Sequence, residues 1–322
     1  MRKVWNKFYV LMALVMLIWS GTAAIVTYLF QDGQGLRPGE VVVCDGLICL
    51  AIMLGATLAV PASRRSLARY TLRQAPALAV CGFTGVFLYN TLLYSALHSD
   101  AKDVVPYVII NYLWPIATMV FGVLILKERL SWHVVLGGLV GFLGFLVVQL
   151  ARVREVGLLA DAKALGCLMA LGAALAWGLF STLARKWSDK YGLDPLSSMM
   201  LFVAAGTVFS VILFAPTARF GYIFGRWDIL LALVVLGGAA HGLTNILWLR
   251  AIKLAGAGRT AVVSYLTPVL SLAYLGLFHR QWPSKWYSVL GLALILAAVL
   301  LVELRRLRQE QRAAEPLPPD RG

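Results

Sequence analysis

The sequence predicts an all-α polytopic membrane protein with ten transmembrane helices, arranged as two inverted five-helix repeats. Three observations carry this expectation. The 322-residue chain is 60% hydrophobic and 14% charged, with a mean hydropathy of +0.80, whereas a soluble domain carries about 25% charged residues. Apolar runs near the roughly 20 residues that cross a bilayer recur along it, at approximately 8–30, 41–60, 75–97, 104–126, 133–151, 164–184, 195–216, 228–249, 260–278 and 286–303. The halves also repeat. Gly82, Leu88, Asn90, Leu92 and Ala96 match Gly237, Leu243, Asn245, Leu247 and Ala251 at an offset of 155, and Tyr112, Leu113 and Pro115 match Tyr265, Leu266 and Pro268 at 153. The expected division is 1–158, 159–304 and a charged cytoplasmic tail, 305–322. Each repeat holds an odd number of spans, so the second lies upside down relative to the first. Inverted repeats that meet at a midplane site are characteristic of secondary transporters.

Taken in order, the first span follows Arg2, Lys3 and Lys7. Its run is longer than the apolar region of a signal peptide, so an uncleaved helix is expected. The net charge of +14 would suit nucleic acid, but the basic residues stand at span ends. Arg64, Arg65, Arg69 and Arg73 against the single Arg37 illustrate the asymmetry, which places both termini in the cytoplasm. No nucleic acid partner is expected; the partners are the bilayer and a small-molecule substrate, with the chain a monomer or weak dimer. Cys44, Cys49, Cys81 and Cys167 all lie inside apolar spans and read as small buried hydrophobes. No zinc spacing, Walker loop or nucleophile triad occurs, so catalytic residues, metals and cofactors are not expected, nor is an enzyme.

The chain is organised around Asn111-Tyr112-Leu113-Trp114-Pro115 in the middle of the fourth span. A mid-span proline removes a helical hydrogen bond and bends the helix. Tyr107, Asn111, Trp114 and Thr118 follow helical spacing on one polar, aromatic face, which should turn to protein or water rather than lipid. Thr260, Ser264, Thr267, Ser271 and Tyr274, beside Pro268, form a similar stripe in the ninth span. Two bent helices facing one cavity are expected, with Pro115 and Pro268 as hinges. Trp114 is suited to stack on an aromatic substrate or face an ammonium group; packing is the rival role for it and for Tyr112. Trp19 and Trp177 occupy similar places in the two repeats, and Tyr89 and Tyr94 flank Asn90. His241, Asn245 and Trp248 share a face of the eighth span, and an intramembrane ionisable group is a functional candidate by default. Asn90 and Asn245 are suited to bind a substrate carboxylate or a neighbouring helix. Asp45, the one carboxylate well inside a span, reads either as a hydrated aspartate near the outer surface or as a coupling-ion or gate residue; His241 is a separate candidate for coupling. No carboxylate stands at a span centre, which favours movement down a gradient over proton antiport. Gly137/Gly141 and Gly238/Gly242 have the spacing of close helix packing.

The proline-centred fourth helix, its exit Lys127-Glu128-Arg129-Leu130 and the following Gly137, Gly138, Gly141 and Gly144 resemble the drug/metabolite transporter superfamily, in its EamA-like branch. Asn111-Tyr112-Leu113-Trp114-Pro115 and Ser264-Tyr265-Leu266-Thr267-Pro268-Val269-Leu270-Ser271 are similar to the fourth and ninth helices of the bacterial aromatic amino acid exporters of that branch. The resemblance implies a bacterial inner-membrane exporter of amino acids working by alternating access. The binding set expected from the residues is Trp19, Tyr89, Asn90, Tyr107, Asn111, Tyr112, Trp114, Trp177, His241, Asn245, Ser264 and Thr267. Arg280-Gln281-Trp282-Pro283 departs from the acidic exit in the second repeat. Efflux of lipophilic cationic drugs is the alternative within transport. An intramembrane enzyme acting on a lipid precursor is the alternative outside it, disfavoured because His98, His133, His241 and His279 are scattered.

Overall fold

The computed structural model describes residues 2–30, 34–99, 105–156, 164–270 and 286–314. The regular structure among them is helical. The long elements are α1 (Arg2–Phe30), α2 (Pro38–Ala59), α7 (Trp114–Leu126), α8 (Trp132–Val156), α9 (Ala164–Lys190), α10 (Pro195–Phe214) and α15 (Trp286–Ala314). Shorter ones are α3 (Pro61–Leu67), α4 (Ala75–Cys81), α5 (Tyr89–Ser99), α6 (Val105–Asn111), α11 (Phe220–Phe224), α12 (Trp227–Val234), α13 (Thr244–Ala255) and α14 (Ala257–Ser264). Among the described residues, seven stretches are long and apolar enough to cross a membrane. The apolar part of α8, Trp132–Val147, is shorter. Of the ninth expected span, residues 271–278 lie outside the described residues, as do Arg280–Pro283 and 315–322. The charged tail expected from residue 305 begins as helix: α15 continues to Ala314, because Leu, Arg, Gln, Glu and Ala are good helix formers.

Two irregularities recur at the spacing of the sequence repeat. The chain winds as π-helix at Gly82–Leu88, joining α4 to α5, and again at Val235–Leu243, joining α12 to α13. The α-helix is interrupted by a tighter turn at Tyr112–Leu113 and again at Tyr265–Leu266, where the Leu113, Tyr265 and Leu266 amides bond the carbonyl three residues back at 3.1–3.2 Å. The expected bends at Pro115 and Pro268 therefore fall two or three residues earlier. Proline disrupts the turn before it and is tolerated in the first turn of a helix, and Pro115 sits in the first turn of α7.

Close packing depends on glycine. A Cβ on Gly82 would stand 2.5 Å from the Gly206 amide nitrogen and 2.6 Å from the Phe202 carbonyl, so the first π turn and α10 touch backbone to backbone. Gly178 does the same for α9 against α7 at Ala117 and Thr118. Gly137 meets α15 at Ala298 and Val302, Gly141 takes the Tyr265 ring, and Gly238 meets Ile52 of α2. Outward-facing Leu168, Ile212 and Leu124 are exposed, as expected of surfaces wetted by lipid.

Ionic contacts tie both ends of the bundle. Where α1 ends, Glu40 accepts from Arg219 at 2.7 Å, and Asp228 accepts from Arg226 and Tyr28 at 2.9 Å. Where α1 begins, Arg259 pairs with Glu303 and Tyr9, and Lys253 with Asp189 at 3.0 Å. There, Lys127 adopts a left-handed conformation (φ 55°) and turns Glu128 back. Glu128 then accepts from the Ala257 and Gly258 amides at the start of α14 and from Arg185 of α9. This explains the exit motif: its carboxylate caps another helix.

Asp194 caps α10, accepting from the Leu196 amide at 3.0 Å and from Ser63 of α3 at 2.9 Å. Burial opposes its charge, but hydrogen bonds from Ser197, Ser63 and the Ser197 and Leu196 amides outweigh that and hold the carboxyl below the usual range. Asp194→Ala should lower stability by about 0.5–2 kcal/mol. A depressed carboxylate stabilises above its unfolded pKa and loses that contribution as pH falls through the folded one. Thermal melts in detergent should therefore show a constant difference from wild type near neutrality that narrows below about pH 4; a pH-independent difference would contradict the charged cap.

Candidate substrate cavity

Four tryptophans from four helices meet in the middle of the bundle. Trp19 of α1 is the hub, its ring centroid 5.8 Å from Trp114, 5.7 Å from Trp177 and 5.4 Å from Trp248. Trp114 lies 5.3 Å from Trp248 at 79°, and Tyr89 packs 4.9 Å from Trp177. Mostly edge-to-face contacts suit the ring quadrupoles. Polar ends are fixed where the bundle supplies acceptors: Trp19 donates to Thr244 at 2.9 Å and Ala240 at 3.2 Å, and Trp248 to Ser181 at 3.0 Å. Each tryptophan is held by a different helix, so its position reports the arrangement of the bundle.

Beside this cluster lies a cavity of about 140 Å³. Its walls are Trp19, Tyr89, Tyr94, Asn111, Tyr112, Trp114, Trp177, His241, Asn245 and Thr267, with Thr22, Val26, Leu93, Leu97 and Val108. The aliphatic walls come from the ends of α1 and α5 and the start of α6, so the cavity occupies that half of the bundle. The Asn111 and Asn245 side-chain oxygens and the Tyr94 hydroxyl are buried without a hydrogen-bond partner. Unsatisfied buried acceptors are costly and mark where a polar ligand would be held. A second, much smaller space of about 10 Å³ lies behind His241, bounded by Asp45, Asn90, Asn245 and Trp177 among others.

Of the twelve expected binding residues, nine line the main cavity. Asn90 lines only the smaller space, bonding Val86 at 3.0 Å. Tyr107 and Ser264 do not line it. Tyr107 is fully buried against Gly166 of α9, where a Cβ would come within 2.5 Å of its ring. Ser264 is buried and donates to Ala261 at 2.6 Å. Thr118 likewise turns inward, donating to Trp114 at 2.8 Å. The expected single face holds only for Asn111 and Trp114: within α6 Tyr107 packs on α9, and within α7 Thr118 bonds its own helix backbone. Tyr112 stacks on Phe145 at 4.1 Å while its side chain also borders the cavity. Ser271 and Tyr274 lie outside the described residues. Asp45 is 2% exposed rather than hydrated, and its Oδ2 lies 2.7 Å from His241 Nδ1. Trp248, absent from the expected binding set, joins the cluster through Trp19 and Trp114. Its spacing from His241 and Asn245 was the available signal for a place in the cluster.

A multi-pass helical bundle whose breaks and aromatic cluster surround a buried cavity defines a membrane transporter. The chain belongs to the EamA-like transporter family, whose sequence profile matches residues 6–150 and 164–304. It is 28% identical over 257 residues to the aromatic amino acid exporter YddG of Ancylobacter novellus, covering 80% of this chain and 84% of that one. It is 24% identical to a probable terminal-alkyne amino-acid exporter of Streptantibioticus cattleyicolor (80% and 83% covered) and 26% identical to the uncharacterized transporter YyaM of Bacillus subtilis (69% and 70%). A crystal structure with 26% identity matches with a TM-score of 0.75 over 94% of this chain and 99% of that one. These relatives are transporters, not enzymes, and this chain is a multi-pass bacterial membrane protein of the same family.

Proposed function

We propose that the protein is a secondary transporter that exports amino acids, chiefly aromatic and other apolar ones, across the bacterial inner membrane. It would comprise ten transmembrane helices in two inverted repeats, with both termini cytoplasmic. The observation that carries this reading is a tryptophan-walled cavity bearing three unpartnered acceptors, Asn111, Asn245 and Tyr94. Indole faces suit an apolar side chain, and the acceptors suit its ammonium group. The cavity of about 140 Å³ is close to the roughly 150 Å³ that holds one benzene. A whole amino acid needs more room, which bending at Tyr112–Leu113 and Tyr265–Leu266 would open. Pro115 and Pro268 keep those points from closing into continuous helix. The paired π turns and paired breaks, at the offsets of the sequence repeat, support two related halves that exchange shapes. The exporter names of two relatives support the substrate class.

The test is uptake of labelled phenylalanine, with methionine and threonine beside it, by purified protein in liposomes. Trp114→Ala should reduce saturable phenylalanine uptake by roughly 2- to 30-fold, the equivalent of 0.5–2 kcal/mol of ring or cation contact. Undiminished uptake by the variant would remove Trp114 from the site. No uptake of any amino acid by folded protein would overturn the substrate class. In that case lipophilic cations become the reading to test, because the cavity lining contains no lysine or arginine.

A further inference from the structure

We propose that Asp45 and His241 form one proton-binding site, and that the proton held there is exchanged for the substrate. The proposal rests on the reading of the chain as a secondary transporter and adds its coupling ion. Asp45 and His241 are 196 residues apart in sequence, on α2 and on the second π turn, and meet at 2.7 Å. The Asp45 side chain is 3% exposed and that of His241 13%. His241 borders the substrate cavity while Asp45 stands behind it. The imidazole is thus the link between cavity and buried carboxylate.

The carboxylate is incompletely satisfied. Its Oδ1 has no partner, and neither do the Asn90 and Asn245 side-chain oxygens that border the same space of about 10 Å³. That space is about the size needed for one water, ringed by acceptors, and suits a proton carrier. A hard metal ion would want oxygens all round, yet one carboxylate oxygen is already taken by a ring nitrogen. The other titratable groups facing the pair are Cys44 and Cys49 on α2 and Tyr94 on α5, with Tyr89 beyond it. Thiols and phenols carry no charge near neutral pH. Glu40, one turn earlier on α2, is already paired with Arg219. From α10, Thr207 approaches at Gly46. His241 is therefore the counter-charge available to Asp45 among these groups.

The fold does not require this pair. Gly237 packs on Asp45 and Cys49 just as Gly82 packs on Phe202 and Gly206. The equivalent of Asp45 is thus Phe202, and at the offset of 155 the equivalent of His241 is Val86; both belong to one apolar cluster. Of the two equivalent contacts between the halves, one carries a buried Asp–His pair where the other carries hydrocarbon. A buried carboxylate is costly without a positive partner, whereas imidazole is the side chain that changes charge between pH 5 and 8. With the proton bound the pair is neutral. With the proton gone its wall of the cavity is negative and attracts the substrate ammonium. Proton and substrate then alternate, and substrate leaves in exchange for an entering proton.

The tryptophan cluster around His241 provides a readout independent of any substrate. Intrinsic fluorescence of the purified full chain should show a transition between pH 5 and 9. His241→Gln should abolish it, and Asp45→Asn, which preserves size, should alter it. In proteoliposomes with the membrane potential clamped, a pH gradient should drive phenylalanine accumulation by up to about tenfold per pH unit. Asp45→Asn should bring the ratio of gradient-driven to downhill uptake to one. A transition that survives in His241→Gln, or its absence in wild type, overturns the site. A wild-type ratio of one, or accumulation that follows sodium instead, overturns the exchange. An intact titration without transport of any amino acid sinks the substrate reading and leaves the proton site standing.

Discussion

Glu303→Ala is expected to destabilise the protein by about 3–5 kcal/mol, the usual cost of stranding one member of a buried ion pair. Arg259 and Glu303 are each only 8% exposed, and Arg259 Nε donates to Glu303 Oε1 at 2.6 Å. Tyr9 of α1 closes the cluster, donating to Glu303 and accepting from Arg259 at 3.0 Å, while the Phe8 ring lies 5.0 Å from the guanidinium carbon. One carboxylate thereby joins α1, α14 and α15. Removing it leaves a buried guanidinium without its carboxylate. The melting temperature in detergent should fall sharply. Replacing both charges, with Arg259→Met and Glu303→Leu, should restore most of the loss, since apolar replacements of buried pairs are often neutral or stabilising. A single variant that melts like wild type would show that the pair contributes little.

Trp19→Ala should cost about 3–5 kcal/mol and abolish transport as well. Alanine would remove three ring contacts and both bonds from the indole nitrogen to Thr244 and Ala240. Trp114, Trp177 and Trp248 would each lose the neighbour that sets their orientation. Trp19→Phe keeps an aromatic ring but no donor, so it should fall between wild type and alanine in both melting temperature and uptake. Normal transport by the alanine variant would mean that the cluster is packing and nothing more.

The apolar runs made the membrane class legible, because bilayer thickness imposes a length that composition alone reveals. The cavity was legible in part. Trp19, Trp114 and Trp177 stood out as tryptophans away from interfaces, and Asn111, Asn245 and Thr267 as polar residues in hydrocarbon. Tyr107 shares a helical face with Asn111 but packs on Gly166 of α9, and a face drawn at helical spacing does not say which neighbouring helix covers each turn. Asp45 and His241 were each noticed, but their contact spans 196 residues, and no local pattern encodes a long-range pairing. The π turns left no trace beyond a glycine-rich stretch, since one extra residue per turn is settled by packing against a neighbour.

Glu128 carries a mechanical consequence. Because its carboxylate grips the first amides of α14 while its own amide bonds Gly122 at the end of α7, the end of α7 and the start of α14 are tied together. A tilt of α14 drags the end of α7 with it. Any relative movement of the two helices would have to carry both of these ends together or break the Glu128 bonds.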